Sequence, residues 1–148
     1  PERHEAVKKL IQNTGLNWGL RSKSDTFDNN DIIMLDTMGE LGKAYSLCHF
    51  AFIGGSFNKT GGHNPLEATV FEKPVISGKS IHNFKDIYAL LTRSGAAKSV
   101  ANASELEEYI RKLLSDSDFY NQCCDDCKNV FSANQGALEN VINKLKEF

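Results

Sequence analysis

The sequence predicts an α/β protein: a parallel sheet with helices on both faces. Three observations carry this. Short apolar runs alternate with helical patterns through the middle of the chain, as successive strand–helix units require. Runs such as Ile32-Ile33-Met34 are apolar without alternation, which fits strands buried on both sides. Glycine-rich segments follow such runs and precede helix starts, where an α/β protein makes its strand-to-helix turns.

The elements follow in order. Glu2 to Asn13 carries Ala6, Val7, Leu10 and Ile11 at helical spacing and is closed by Gly15. Leu16 to Leu20 reads as a short strand and Ser22 to Asn30 as a polar loop. Asp31 to Leu35 is a buried strand, Met38 to Cys48 a helix, and Phe50 to Ile53 the next strand. Pro65 to Phe71 is helical, with Asn64 as N-cap, Pro65 at the first helical position and Glu67 completing a capping box. Pro74 to Ile76 is a strand ended by Gly78, and Asn83 to Ser94 a helix. Ala97 to Val100 is a strand, Ser104 to Leu114 a helix, and two more helices span Asp118 to Phe131 and Gly136 to Lys146. The 148 residues suffice for one domain with a core of its own, and no internal repeat is visible.

The net charge of −2 gives no electrostatic case for nucleic acid as main partner. No apolar run approaches the ~20 residues of a membrane span, and the first residues, Pro-Glu-Arg-His-Glu, are not a signal peptide. Such a charged, helix-like beginning leads us to expect that the chain starts inside a longer protein. Of the four cysteines, Cys123, Cys124 and Cys127 share a predicted helix and Cys48 is remote, so neither a disulfide framework nor a zinc site is expected. Cys123 and Cys127 align with Phe119 and Val130 as a buried stripe.

In an α/β sheet, ligands bind beyond the carboxyl ends of the strands. The loops leaving those ends are Asp36-Thr37, Gly54 to His63 and Ser77 to Asn83, and the unusual residues fall in them. Gly54-Gly55 and Gly61-Gly62 flank a short polar loop before the helix at Asn64-Pro65. Glycines allow positive φ and close backbone approach, and a helix start adds free N–H groups, so the loop suits a phosphate. The spacing matches neither the dinucleotide fingerprint nor the P-loop. His63 and Asn64 could reach a phosphate or a sugar carboxylate, and Glu67 could accept from two ribose hydroxyls. A plain cap would explain Asn64 and Glu67 too, but not Gly61-Gly62-His63 before them. Asn102-Ala-Ser-Glu105 repeats the cap spacing with nothing functional beside it. Asp36-Thr37-Met38-Gly39-Glu40 either caps its helix through Thr37 and Glu40 or borders a base or ribose. In Gly78 to Phe84, Asn83 or Ser80 is a candidate cap, and Lys79 and His82 candidate charges near a phosphate.

The succession Asp-Thr-Met-Gly-Glu-Leu, Gly-Gly-Ser-Phe, Gly-Gly-His-Asn-Pro-Leu-Glu, Lys-Pro-Val-Ile, Asn-Phe and Gly-Ala-Ala closely resembles the 3-deoxy-D-manno-octulosonic acid (Kdo) transferases of lipopolysaccharide inner-core synthesis in Gram-negative bacteria. The resemblance runs from Pro1 to about Leu145. It implies the C-terminal half of a GT-B glycosyltransferase, Rossmann-like, holding the donor CMP-Kdo. It implies that residues 1–148 are that one donor-binding domain and that the N-terminal acceptor domain lies elsewhere.

Carried onto this sequence, the resemblance assigns donor binding to Arg3, Met38, Gly39, Glu40, Gly55, Ser56, Gly61, Gly62, His63, Asn64 and Glu67. The helix after Gly62, with Asn64, His63 and Arg3, would stabilise the departing CMP phosphate; Glu67 would hold the ribose, and Met38 to Glu40 would border the cytidine. No catalytic residue falls in this stretch, because the family's general base is a glutamate of the other domain. No metal or cofactor is implied. The implied partners are CMP-Kdo, a lipid A precursor, the N-terminal domain and the cytoplasmic face of the inner membrane. Ala68 departs from the family's usual proline, and Lys79-Ser80-Ile81 from its usual Pro-His. A GT-B enzyme or epimerase using a UDP-sugar, or a non-catalytic nucleotide-binding module, would share the strand–glycine–helix pattern.

Overall fold

The computed structural model describes residues 4–23, 26 and 29–133. Arg3 and the helix expected over Gly136 to Lys146 lie outside them. The chain divides into two compact units, Pro1–Lys43 and Ala44–Phe148. Each contains a parallel sheet, so the expected parallel architecture is present as one two-stranded and one three-stranded sheet.

In the first unit, helix α1 (His4–Gln12) runs to a turn in which Gly15 takes φ +71°, a conformation that favours glycine. Strands β1 (Trp18–Leu20) and β2 (Ile32–Met34) pair in parallel, Trp18 opposite Ile32 and Leu20 opposite Met34. Both are shorter than the sequence pattern suggests. The Asn17 N–H donates to the Asp31 carboxylate at 3.0 Å instead of joining the ladder, and a turn of 3₁₀ helix, Arg21–Lys23, follows β1 directly.

Helix α2 spans Leu41–Leu47, starting three residues later than expected. The second unit has strands β3 (Ala51–Ile53), β4 (Val75–Ser77) and β5 (Ala97–Ser99), with β4 in the centre. Ala51 pairs with Val75 and Val75 with Ala97, all parallel. Between them come α3 (Leu66–Thr69) and α4 (Lys85–Ser94), the latter entered through a 3₁₀ turn at His82–Phe84; α5 (Ala103–Ser115) and α6 (Ser117–Ala133) follow β5.

The period of two along the strands sorts the side chains into two cores. Ala51, Ile53, Val75 and Ala97 pack with Leu66, Tyr88, Leu91 and Cys127 on one face. Ile76 and Val100 pack with Leu113 and Cys123 on the other. Complete burial of side chains such as Ile76 and Leu91 contributes about 1.5–3 kcal/mol each. The cysteine stripe is confirmed: Cys123, Cys127 and Val130 are buried, while Cys48 and Cys124 are half-buried, and all four thiols are free. Burial pushes the Cys127 thiol up to about 12. Helix α4 ends at Gly95, φ +91°, where a β-carbon would stand 2.2 Å from Asp126 Oδ2. No described helix is long and apolar enough to cross a membrane.

Candidate functional site

The carboxyl ends of β3 and β4 are joined by one side chain. Ser56, fully buried, donates its hydroxyl to Ile53 O at 2.6 Å and accepts from the Gly78 N–H at 2.7 Å. The Ser80 N–H donates to Ser56 O at 2.9 Å. The strand-end loops are therefore stitched together, and Gly78 is dictated by the fit, since a β-carbon would lie 2.2 Å from Ser56 O. Ser56, assigned to donor binding by the resemblance, has its hydroxyl spent inside the protein. It supports the loop, and its side chain has no hydrogen left to offer a ligand.

Beyond Ser56 the chain turns back on itself. Gly61 and Gly62 have φ +93° and +74°, and the Gly62 N–H closes the loop onto Gly55 O at 3.1 Å. The N–H that the sequence offered to a phosphate at Gly62 is thus already used. Those of Gly61, His63, Asn64 and Glu67 meet no acceptor among the described residues. Four backbone donors within seven residues are therefore open to an acceptor from outside the described residues, the chemistry a bound anion would use. It depends little on a helix dipole, because α3 is a single turn where the pattern suggested Pro65 to Phe71. The early end has a local cause: the chain leaves the helix through Glu72 at φ +59°, two residues before Pro74.

The capping box expected over Asn64 to Glu67 is half made. Asn64 Oδ1 accepts from the Leu66 N–H at 3.1 Å, so the asparagine does cap. Glu67 is exposed and makes no hydrogen bond among the described residues. The same spacing at Asn102 and Glu105 engages both side chains: Asn102 Oδ1 accepts from the Glu105 N–H at 3.0 Å, and Glu105 Oε2 accepts from the N–H of Ala101, one residue before the cap, at 2.8 Å. Glu67 is therefore an ionisable group that its own helix does not use. Its charge is felt by Tyr45, whose hydroxyl is raised above the ordinary tyrosine range first by burial and then by Glu67.

On the side of the turn formed by the loop after β4, the expected caps do not form. Neither His82–Phe84 nor α4 has a side-chain N-cap, so Ser80 and Asn83 cap nothing. Asn83 instead donates its amide to Thr60 O at 2.8 Å and to Gly62 O at 3.4 Å. His82 packs so closely that a β-carbon on Gly61 would come 2.5 Å from its Nε2. Tyr88, buried, donates its hydroxyl to His63 O at 3.2 Å. Burial holds that hydroxyl far above the ordinary tyrosine range, with the Ser77 hydroxyl opposing. Gly55, Gly61, Gly62, His63, Asn64 and Glu67 thus share one loop–helix segment supported by Ser56, Asn83 and Tyr88. Lys79 is exposed on the same strand-end loop as Ser80.

Met38, Gly39 and Glu40 belong to the first unit. Met38 is 97% exposed and Gly39 has φ +80°, so this segment is a bend and not the first turn of a helix. The capping box expected from Thr37 and Glu40 is replaced by side-chain pairing: the Thr37 hydroxyl donates to Glu40, which also forms an ion pair with Arg21 at 2.9 Å. The Thr37 bond, aided by Arg21, holds the Glu40 carboxyl below its usual range against some desolvation. Asp36 is likewise lowered, by the Ser22 hydroxyl and N–H.

A cavity of about 560 Å³ in the second unit shares no residue with the glycine loop. Lys112 lies over the Phe119 ring and Lys98 over that of Tyr109, while Glu105, Glu108 and Asp126 line the same walls, so both signs of charge are interspersed there. Among the described residues no cluster of His, Cys, Asp or Glu could hold a metal ion.

The fold and loop geometry define a class: parallel sheets flanked by helices, as in the C-terminal half of a GT-B glycosyltransferase, with an anion-ready glycine turn after a strand. Among solved structures the chain is similar to the C-terminal CMP-Kdo binding domain of WaaA from Acinetobacter baumannii, with TM-score 0.82 and 28% identity, covering 88% of this chain and 69% of that one. The 3-deoxy-D-manno-octulosonic acid transferase of Haemophilus influenzae is 34% identical over the whole chain and 35% of its own length. That of Aquifex aeolicus is 35% identical over 76% of this chain and 32% of its own. No protein-family model matches. Over its whole length the chain is similar to the Kdo transferases, and it spans about a third of the length of the curated relatives it matches.

Proposed function

We propose that this chain is the donor-binding domain of an inverting glycosyltransferase that moves Kdo from CMP-Kdo to a lipid A precursor. The observation that carries the reading is the contrast between two segments of the same Asn-x-x-Glu spacing. Glu105 accepts from the N–H just before its cap, whereas Glu67 makes no hydrogen bond among the described residues and follows a stretch in which the Gly61, His63 and Asn64 N–H groups meet no acceptor there. An ionised acceptor with two oxygens next to an anion-binding turn suits a ribose carrying a 5′-phosphate.

In this reading the phosphate lies against the N–H groups of Gly61, His63 and Asn64, and Glu67 accepts from the ribose hydroxyls. Met38, Gly39 and Glu40 carry over from the family as residues of the cytidine, and Arg3 as a phosphate ligand. Elsewhere in the protein a base takes the proton of the acceptor hydroxyl. The oxygen attacks the anomeric carbon of Kdo from the face opposite CMP, and the bond to the phosphate oxygen breaks with its electrons going to CMP. This domain contributes by stabilising the charge that develops there. CMP-Kdo is a substrate, and no cofactor enters. With a lipid acceptor, the enzyme works at the cytoplasmic face of the inner membrane.

The test is a calorimetric titration of the chain with CMP and with UMP. The expected result is saturable binding of CMP in preference to UMP. Equal affinity for both, or binding of neither, would sink the proposal.

A further inference from the structure

Asn83 is absent from the residues that the sequence assigns to donor binding, yet it governs the glycine turn. Its Nδ2 donates to Thr60 O at 2.8 Å and Gly62 O at 3.4 Å, and its backbone N–H to Gly61 O at 3.3 Å. One residue thereby holds three consecutive carbonyls. In a planar trans peptide, the C=O and N–H of the same unit point in opposite directions. Drawing the Thr60 carbonyl toward Asn83 turns the Gly61 N–H away from it, and drawing the Gly62 carbonyl does the same for the His63 N–H. The third N–H, that of Gly62, is taken by Gly55 O at 3.1 Å. Two of the free donors of the turn are therefore those whose direction the Asn83 amide sets.

The contact is close, and only glycine admits it. A β-carbon on Gly61 would come 2.8 Å from Asn83 Nδ2. Asn83 is exposed, so water could satisfy these carbonyls in its absence, and stability alone does not call for an amide here. Orientation does.

We infer that Asn83 is the positioning residue of the anion-binding turn, fixing the Gly61 and His63 N–H groups toward the phosphate of the nucleotide donor. The inference rests on the reading of this loop as the phosphate site. It assigns Asn83 no contact with the donor.

The experiment compares CMP with cytidine, which lacks the phosphate, by calorimetry on the unsubstituted chain and on Asn83→Ala and Asn83→Asp, with a thermal melt of each. The unsubstituted chain should prefer CMP by about tenfold or more, as expected for charge-assisted hydrogen bonds. Both variants should lose most of that preference, keep their cytidine affinity and melt within a few degrees of the parent. If the unsubstituted chain shows no preference for CMP, the phosphate reading itself fails. If it does and both variants keep the preference, the phosphate site stands and the role of Asn83 falls. Loss of CMP and cytidine binding together, with a lowered melt, would make Asn83 merely structural and also overturn the inference. Should neither variant fold, the amide resonances of Gly61 and His63 in the unsubstituted chain decide. They must move more with CMP than with cytidine, and resonances that move equally would refute it.

Discussion

Replacing Glu67 by Ala separates binding from stability, because the structure gives the side chain nothing to hold. It is exposed, makes no hydrogen bond among the described residues and leaves the cap to Asn64. A surface substitution of that kind changes stability by no more than about 0.5 kcal/mol. Its effect on CMP should be far larger. Losing a carboxylate that accepts charge-assisted hydrogen bonds from ribose hydroxyls costs about 1.5–3 kcal/mol, or roughly 10- to 150-fold in affinity. Glu105→Ala is the internal control, since Glu105 accepts from the Ala101 N–H at 2.8 Å. Removing it should lower the melting temperature by a few degrees, as expected for about 1 kcal/mol of lost capping, and leave CMP affinity unchanged. Calorimetric titration with CMP and a thermal melt on both variants complete the assay. If Glu67→Ala melts early and binds CMP normally, Glu67 is a capping residue and the reasoning is refuted.

Other outcomes follow from single positions. Gly78→Ala should destabilise the chain by about 1–3 kcal/mol in denaturant titration, because its β-carbon would meet the Ser56 backbone at 2.2 Å; an unchanged midpoint would contradict the stitched strand-end loops. Glu72→Gly should raise stability by roughly 1 kcal/mol by relieving a non-glycine residue at φ +59°, and a lower melting temperature would argue that the Glu72 side chain matters. The Cys127 thiol, ordinarily near 9 and raised by burial to about 12, keeps its proton in the native state while the unfolded chain loses it. Stability should therefore fall as pH rises from 9 toward 12, and Cys127→Ala should flatten that fall in melts at stepped pH; an unaltered slope would count against a buried thiol.

The second unit was legible because its signals are local. Apolar runs at Phe50 to Ile53 and Pro74 to Ile76 became β3 and β4 within a residue or two. Cys123 and Cys127 fell on the buried face of α6, as their spacing demands. Where the reading failed, a competing partner lay outside the local window. Thr37 and Glu40 have a capping spacing, but Arg21, nineteen residues earlier, pairs with Glu40, and the helix begins only at Leu41. The hydroxyl of Ser56, a residue that the resemblance assigns to the donor, bonds Ile53 O and the Gly78 N–H, the latter twenty-two residues away and outside any local window.

Asn83 shows why the site was only partly readable. Its sequence context suggests a helix cap, and a cap is what short-range statistics reward. In the fold, the return of the chain through β4 brings it against Thr60 and Gly62, more than twenty residues earlier, where its Nδ2 donates to their carbonyls while its Oδ1 caps no N–H of α4. The glycine turn announces that a backbone can be approached closely. It does not say which side of the turn carries the donors. That is decided by the residue that occupies the other side, and only the parallel crossover through β4, α3 and the loop after Gly78 puts Asn83 there. Glycine pairs thus mark a candidate anion site from sequence alone, while its polarity is a property of topology.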